Sequence, residues 1–137
     1  MKNLLMKTLL ALLLFANAAF AADPLPSESA TKPVDPDPAK LIGRWLRPDG
    51  GYILQLSNPG PDGRLQAEYF NPRPINVSRA EWKHQEGYLG AFVELQAPNY
   101  PGSTYTLVYD PANDRLVGIY FQAALQQQFE VVFERTP

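Results

Sequence analysis

The sequence predicts an all-β domain, and three observations carry the prediction. Turn-forming clusters of Gly, Pro, Asn and Asp recur every eight to fifteen residues after Leu41. The runs between them are rich in β-branched and aromatic residues and alternate apolar with polar. No stretch after residue 40 keeps an apolar 3.6-residue period long enough for a helix.

The turn signals lie at Pro48-Asp49-Gly50-Gly51, Asn58 to Gly63, Asn71 to Pro74, Gln85-Glu86-Gly87, Pro98 to Gly102 and Asp110 to Asp114. They divide the chain into strands at 43–47, 52–57, 64–70, 77–84, 88–96, 104–110, 115–122 and 127–135. Several alternate cleanly. Leu65, Ala67 and Tyr69 oppose Gln66 and Glu68; Tyr105, Leu107 and Tyr109 oppose Thr104 and Thr106; Phe129, Val131 and Phe133 oppose Gln128, Glu130 and Glu134. One face of each strand is then dry and the other wet. Eight antiparallel strands joined in order by short connections close an up-and-down (meander) barrel, which leaves no exposed sheet edge. A two-sheet β-sandwich is the alternative.

The first 22 residues read differently. Lys2 and Lys7 precede an apolar run from Leu9 to Phe15, and Ala19-Phe20-Ala21 has the small residues of a cleavage site. This is the pattern of a cleavable signal peptide, cut near Ala21 or Ala22. The apolar run is shorter than the roughly 20 residues of a bilayer span, so no integral membrane segment is expected in the mature chain. The expected location is the periplasm or the exterior. Residues 23–40 contain five prolines, four acidic residues and no aromatic, and read as a disordered linker. Residues 41–137 are the barrel domain, with fourteen of the sixteen aromatics.

Composition excludes several function classes. There is no cysteine, hence no disulfide scaffold and no Cys-based zinc site. Without the leader, ten basic side chains face fourteen acidic ones, a net charge of −4. That is no footprint for a nucleic acid. The single histidine, His84, lies beside a hairpin turn and reads as solvated. No nucleophile elbow, zincin motif, phosphate-binding loop or calcium loop is present. Glu81 and Glu94 fall on the wet face of one hairpin. No catalytic residue, metal or cofactor is therefore expected, and enzymatic activity is left open.

A meander sends alternate connections to opposite ends of the barrel. One end collects 48–51, 71–76, 97–103 and 123–126. Two of these connections, 71–76 and 97–103, each carry two stiffening prolines, and loops on a rigid scaffold are where binding groups sit. Arg73, between Pro72 and Pro74, offers a fork of donors suited to a carboxylate or phosphate. Asn71, Asn76 and Asn99 add neutral hydrogen bonds, and Tyr100 a stacking face. Tyr105 and Tyr120, with Tyr52, Tyr69 and Tyr109, fall on inward positions. They either line a cup or send their hydroxyls to the rim. These residues frame two expectations. In one, a small, partly apolar or anionic ligand binds at the barrel mouth. In the other, an interaction or inhibitor module presents 71–76 and 97–103 to a periplasmic protein. An interior of roughly 300 Å³ or more favours the ligand. A filled interior favours the protein partner.

Gly43-Arg44-Trp45 opens the first strand and resembles the G-x-W start of lipocalins and of avidin-like barrels. The resemblance implies a lipocalin-like (calycin) fold with Trp45 packed across the barrel floor. It also implies Arg115 or Arg135 as a stacking partner from a later strand, and binding of a small molecule in the cup. The stretches Tyr69–Ser78 and Asn99–Gln122 also resemble a group of exported bacterial proteins to which no activity attaches.

Overall fold

The computed structural model describes residues 35–137. The segment read as a signal peptide and residues 23–34 lie outside the described residues. Strands form where the alternation places them. They are β1 (Gly43–Arg47), β2 (Tyr52–Ser57), β3 (Gln66–Phe70), β4 (Pro74–Ile75), β5 (Val77–Gln85), β6 (Tyr88–Ala97), β7 (Tyr100–Asp110), β8 (Arg115–Gln122) and β9 (Gln127–Arg135). All belong to one antiparallel sheet in the order β4-β3-β2-β1-β9-β8-β7-β6-β5. The first and last long strands meet, with Trp45 opposite Arg135 and Leu46 opposite Glu134. A continuous sheet that curls back on itself in this way is a barrel, not a sandwich of two sheets.

Two differences from the eight-strand reading have local causes. Pro74 and Ile75 pair with Phe70 and Tyr69, which makes β4 a ninth strand of two residues. Strand β7 begins at Tyr100 instead of 104. The ladder continues through Gln96 opposite Pro101 and Ala97 opposite Tyr100, across a register shift at Leu95/Gln96. Only Pro98 and Asn99 remain as a turn, so most of the connection expected at 97–103 is strand. Pro101 is tolerated because irregular pairing frees it from donating.

The barrel stops just short of closure. Between β3 and β5 the ladder reduces to one bridge, Arg64 with Glu81, reinforced by Trp82 N donating to Gly63 O at 2.9 Å. Beside it a notch of about 420 Å³ opens between 66–68 and 77–80.

Inward parity fills the interior from floor to mouth. Trp45, Leu54, Leu56, Tyr69, Leu89, Val93, Leu95, Tyr105, Leu107, Leu116 and Phe133 are all at most 1 % exposed. Gly118 leaves β7 room beside β8, since a Cβ there would collide with the Thr106 carbonyl. At the floor, a single 3-10 turn (Pro38–Leu41), capped by the Asp37 side chain, brings Leu41 into the core. Trp45 Nε1 donates to Leu41 O at 3.0 Å. The Arg135 guanidinium lies 4.2 Å from the Trp45 ring and donates to the Lys40 and Ile42 carbonyls, each at 2.7 Å. Of the two candidate stacking partners, Arg135 takes the place, while Arg115 pairs with Asp110 at 3.0 Å. The end of the spacer is thus tied to the barrel, where His84 Nε2 also meets Pro36 O at 2.6 Å.

Candidate functional site

The strand directions place 48–51, 71–76, 98–99 and 123–126 at one end of the barrel, the mouth, and His84 at the other. Inward side chains from β1, β2, β3, β7 and β8 converge just below the mouth. Arg47 lies two residues beyond Trp45 and therefore on the same inward face. Its Nη1 donates to the Tyr105 hydroxyl at 3.0 Å. Its Nε and Nη2 donate to the two oxygens of Asp49 at 2.7 and 3.1 Å. The Tyr52 and Tyr120 ring centroids lie 4.7 and 5.6 Å from its central carbon, within cation–π range. Tyr105 in turn shares a 2.8 Å hydrogen bond with Tyr69. Tyr105 packs on Tyr120 at 4.6 Å between centroids and Tyr69 on Tyr100 at 6.3 Å.

Electrostatics follow from this packing. Burial pushes the Tyr69 hydroxyl well above its ordinary range, and the neighbouring Tyr105 oxygen adds to the effect. Burial also raises Tyr105, to about 12, with the Tyr69 bond and the Arg47 charge pulling the other way. Tyr120 is raised by burial as well. Burial works against the charge of Arg47, but the Asp49 carboxylate and Tyr105 outweigh it and hold the guanidinium protonated. Among the described residues, every buried side-chain nitrogen and oxygen has a partner. The tyrosine rings fill the cup, with Tyr69 and Tyr105 bonded to each other, Tyr100 to Asn71 and Tyr109 to Asp114.

The residues expected at the site divide accordingly. Asn71 Nδ2 donates to the Tyr100 hydroxyl, which ties the 71–76 connection to the start of β7. Asn76 contributes its carbonyl, which accepts from Gln96 N at 2.9 Å. Asn71, Tyr100, Tyr105 and Tyr120 are therefore brought into one chain of contacts. Asn99 is exposed in its two-residue turn. Arg73 is exposed too, and its guanidinium has no hydrogen-bond or ion-pair partner among the described residues. Only its carbonyl is engaged, by Asn71 N at 3.0 Å. Arg47 and Asp49 were not among the expected residues. Strand parity with Trp45 is the signal that points to Arg47; nothing local points to its pairing with Asp49.

A concavity wider than the notch between 66–68 and 77–80 lies elsewhere, on the outer wall of β5, β6 and β7. It is a trough of about 980 Å³ with Gly90 in its floor, flanked by Tyr88, Phe92, Arg79, Glu81 and Lys83. Its Arg79 is engaged locally, 4.7 Å from the Phe92 centroid and 3.9 Å from Glu81. Among the described residues no group of three or more His, Asp or Glu side chains gathers at metal-binding distance. No helix among them is long and apolar enough to cross a membrane.

No protein-family model, no curated protein and no solved structure matches this chain.

Proposed function

We propose that this chain is an exported binding module that engages a partner protein through the rim at its mouth. The observation that carries this reading is the filled interior: the buried tyrosines and the largely enclosed Arg47 occupy the cup, with every buried side-chain polar atom among the described residues partnered. Binding then falls to the surface. The mouth is favoured over the outer trough because hydrogen bonds among Arg47, Tyr69 and Tyr105 brace it from beneath. Above them stand the connection from Asn71 to Arg73 and the Pro98-Asn99 turn, tied together through Asn71 and Tyr100 and presenting Arg73 and Asn99 outward. A rigid rim loses little entropy on association. Leu125, 60 % exposed, adds an apolar contact at the same end. Export is supported by the residue pattern of 1–22.

A photo-crosslinking amino acid placed at Arg73 or Asn99 in the native host tests this. The expected result is a covalent adduct of one defined mass from both rim positions and none from Glu134, at the opposite end. Adducts of equal yield from all three positions, or from none, overturn the reading. Arg73→Ala is expected to leave the melting temperature nearly unchanged, as exposed substitutions do, while reducing capture.

A second reading, a small, partly apolar or anionic ligand at the mouth, is favoured by one specific observation. The Arg47 guanidinium presents a carboxylate-binding edge there, and an exposed turn occupies it.

A further inference from the structure

Arg47 is held inside the mouth with only 13 % of its side chain exposed. Three contacts position the guanidinium independently of Asp49. They are the Tyr52 ring from β2, the Tyr105 hydroxyl from β7 and the Tyr120 ring from β8. The remaining edge, Nε and Nη2, makes a two-pronged contact with Asp49, the geometry by which guanidinium recognises any carboxylate. Asp49 is held quite differently. Its side chain is 57 % exposed, and Pro48, Asp49, Gly50 and Gly51 are all exposed. Gly50 and Gly51 donate to the Arg47 carbonyl, which shapes the turn without fixing the Asp49 side chain. Rotation about its own bonds is enough to move this carboxylate into water.

We propose that the mouth binds a small carboxylate bearing an apolar ring, and that Asp49 is a built-in stand-in which the ligand displaces. The incoming carboxylate takes the Nε and Nη2 edge, so the buried guanidinium is never left unpaired, the step that would be expensive. The ring lies at the rim, where Phe129, 41 % exposed, stacks on Tyr120 with centroids 6.4 Å apart. The proposal rests on the second functional reading and supplies its anchor and its chemical class.

The test uses the full chain titrated with benzoate, and with benzamide as the uncharged analogue, followed by backbone amide shifts of Arg47, Tyr52 and Phe129. Asp49→Asn removes the competing charge and is expected to tighten benzoate about tenfold, because a larger fraction of molecules then offers a free site. Asp49→Glu, which keeps a carboxylate on the turn, is expected to stay near the native affinity. Arg47→Lys, checked for a native amide spectrum, is expected to lose benzoate binding. Benzoate affinity unchanged in Asp49→Asn, or raised equally in Asp49→Glu, overturns the exchange. Benzamide binding at the mouth as well as benzoate overturns the carboxylate class while leaving a small-ligand mouth standing. No shift with either probe in any variant sinks both.

Discussion

At the floor, Arg135 passes directly over Gly43. The glycine has φ 145°, and a Cβ there would meet the Arg135 guanidinium, so a side chain at this position is excluded twice over. The guanidinium continues to two carbonyls of the entry turn, stacks on Trp45 and holds the Asp114 carboxyl below the usual carboxylate range through a 2.7 Å contact. Gly43, Trp45 and Arg135 are therefore one structural unit, which gives the G-x-W pattern a physical meaning in this chain. Trp45 is fully buried, touches Tyr109 edge-on at 6.4 Å and donates its indole proton to Leu41. Trp45→Ala is expected to cost about 3–5 kcal/mol in urea denaturation, as large-to-small core changes do. A loss below about 1 kcal/mol would mean that the indole does not organise the floor. The inward place of Trp45 was legible from its sequence context. The identity of the mouth arginine was not: Arg73 stood out for its neighbours in the chain, and Arg47 matters for its neighbours in space.

Strands β7 and β8 show what the period-2 pattern does and does not convey. The strand reading placed Tyr105, Leu107, Tyr109 and Tyr120 on inward positions, and all are at most 7 % exposed. It could not foretell that Gly118, opposite Leu107, has no room for a side chain beside the Thr106 carbonyl. Close approach depends on how the whole sheet coils, and a glycine in a strand is its only local trace. Gly118→Ala is expected to destabilise the domain by about 1–3 kcal/mol, because the new methyl group pushes on the Thr106 carbonyl. An unchanged urea midpoint would show that the strands part without strain. The late start assigned to β7 has a related origin. Two prolines and a glycine between Ala97 and Ser103 are good turn residues, yet pairing with β6 draws Tyr100 and Pro101 into the ladder. Tertiary pairing here overrides local propensity.

Over the whole molecule, the buried tyrosines couple stability to pH. Tyr105 is raised to about 12 by burial, and Tyr69 is raised further in the same direction. In the unfolded chain both ionise near 10. A group whose pKa rises on folding stabilises the fold fully below its unfolded pKa and loses that contribution as pH climbs through the folded value. Stability is therefore expected to hold through neutrality and to fall from about pH 10 upward. Urea midpoints measured from pH 7 to 11 check this, and a flat profile would mean that the mouth hydroxyls are hydrated. Tyr69→Phe and Tyr105→Phe should each flatten the alkaline limb.

Strand positions, inward faces and the shared rim were available from the residues alone, because alternation and turn chemistry are local properties of a chain; the tryptophan floor came only with the resemblance of Gly43-Arg44-Trp45 to lipocalins. The cup or plug question, the open seam between β3 and β5, the outer trough and the enclosure of Arg47 by Tyr52, Tyr105 and Tyr120 were decided only in three dimensions. Each depends on how side chains from strands distant in sequence share a common volume. A linear pattern records which way each residue faces but not what it meets there.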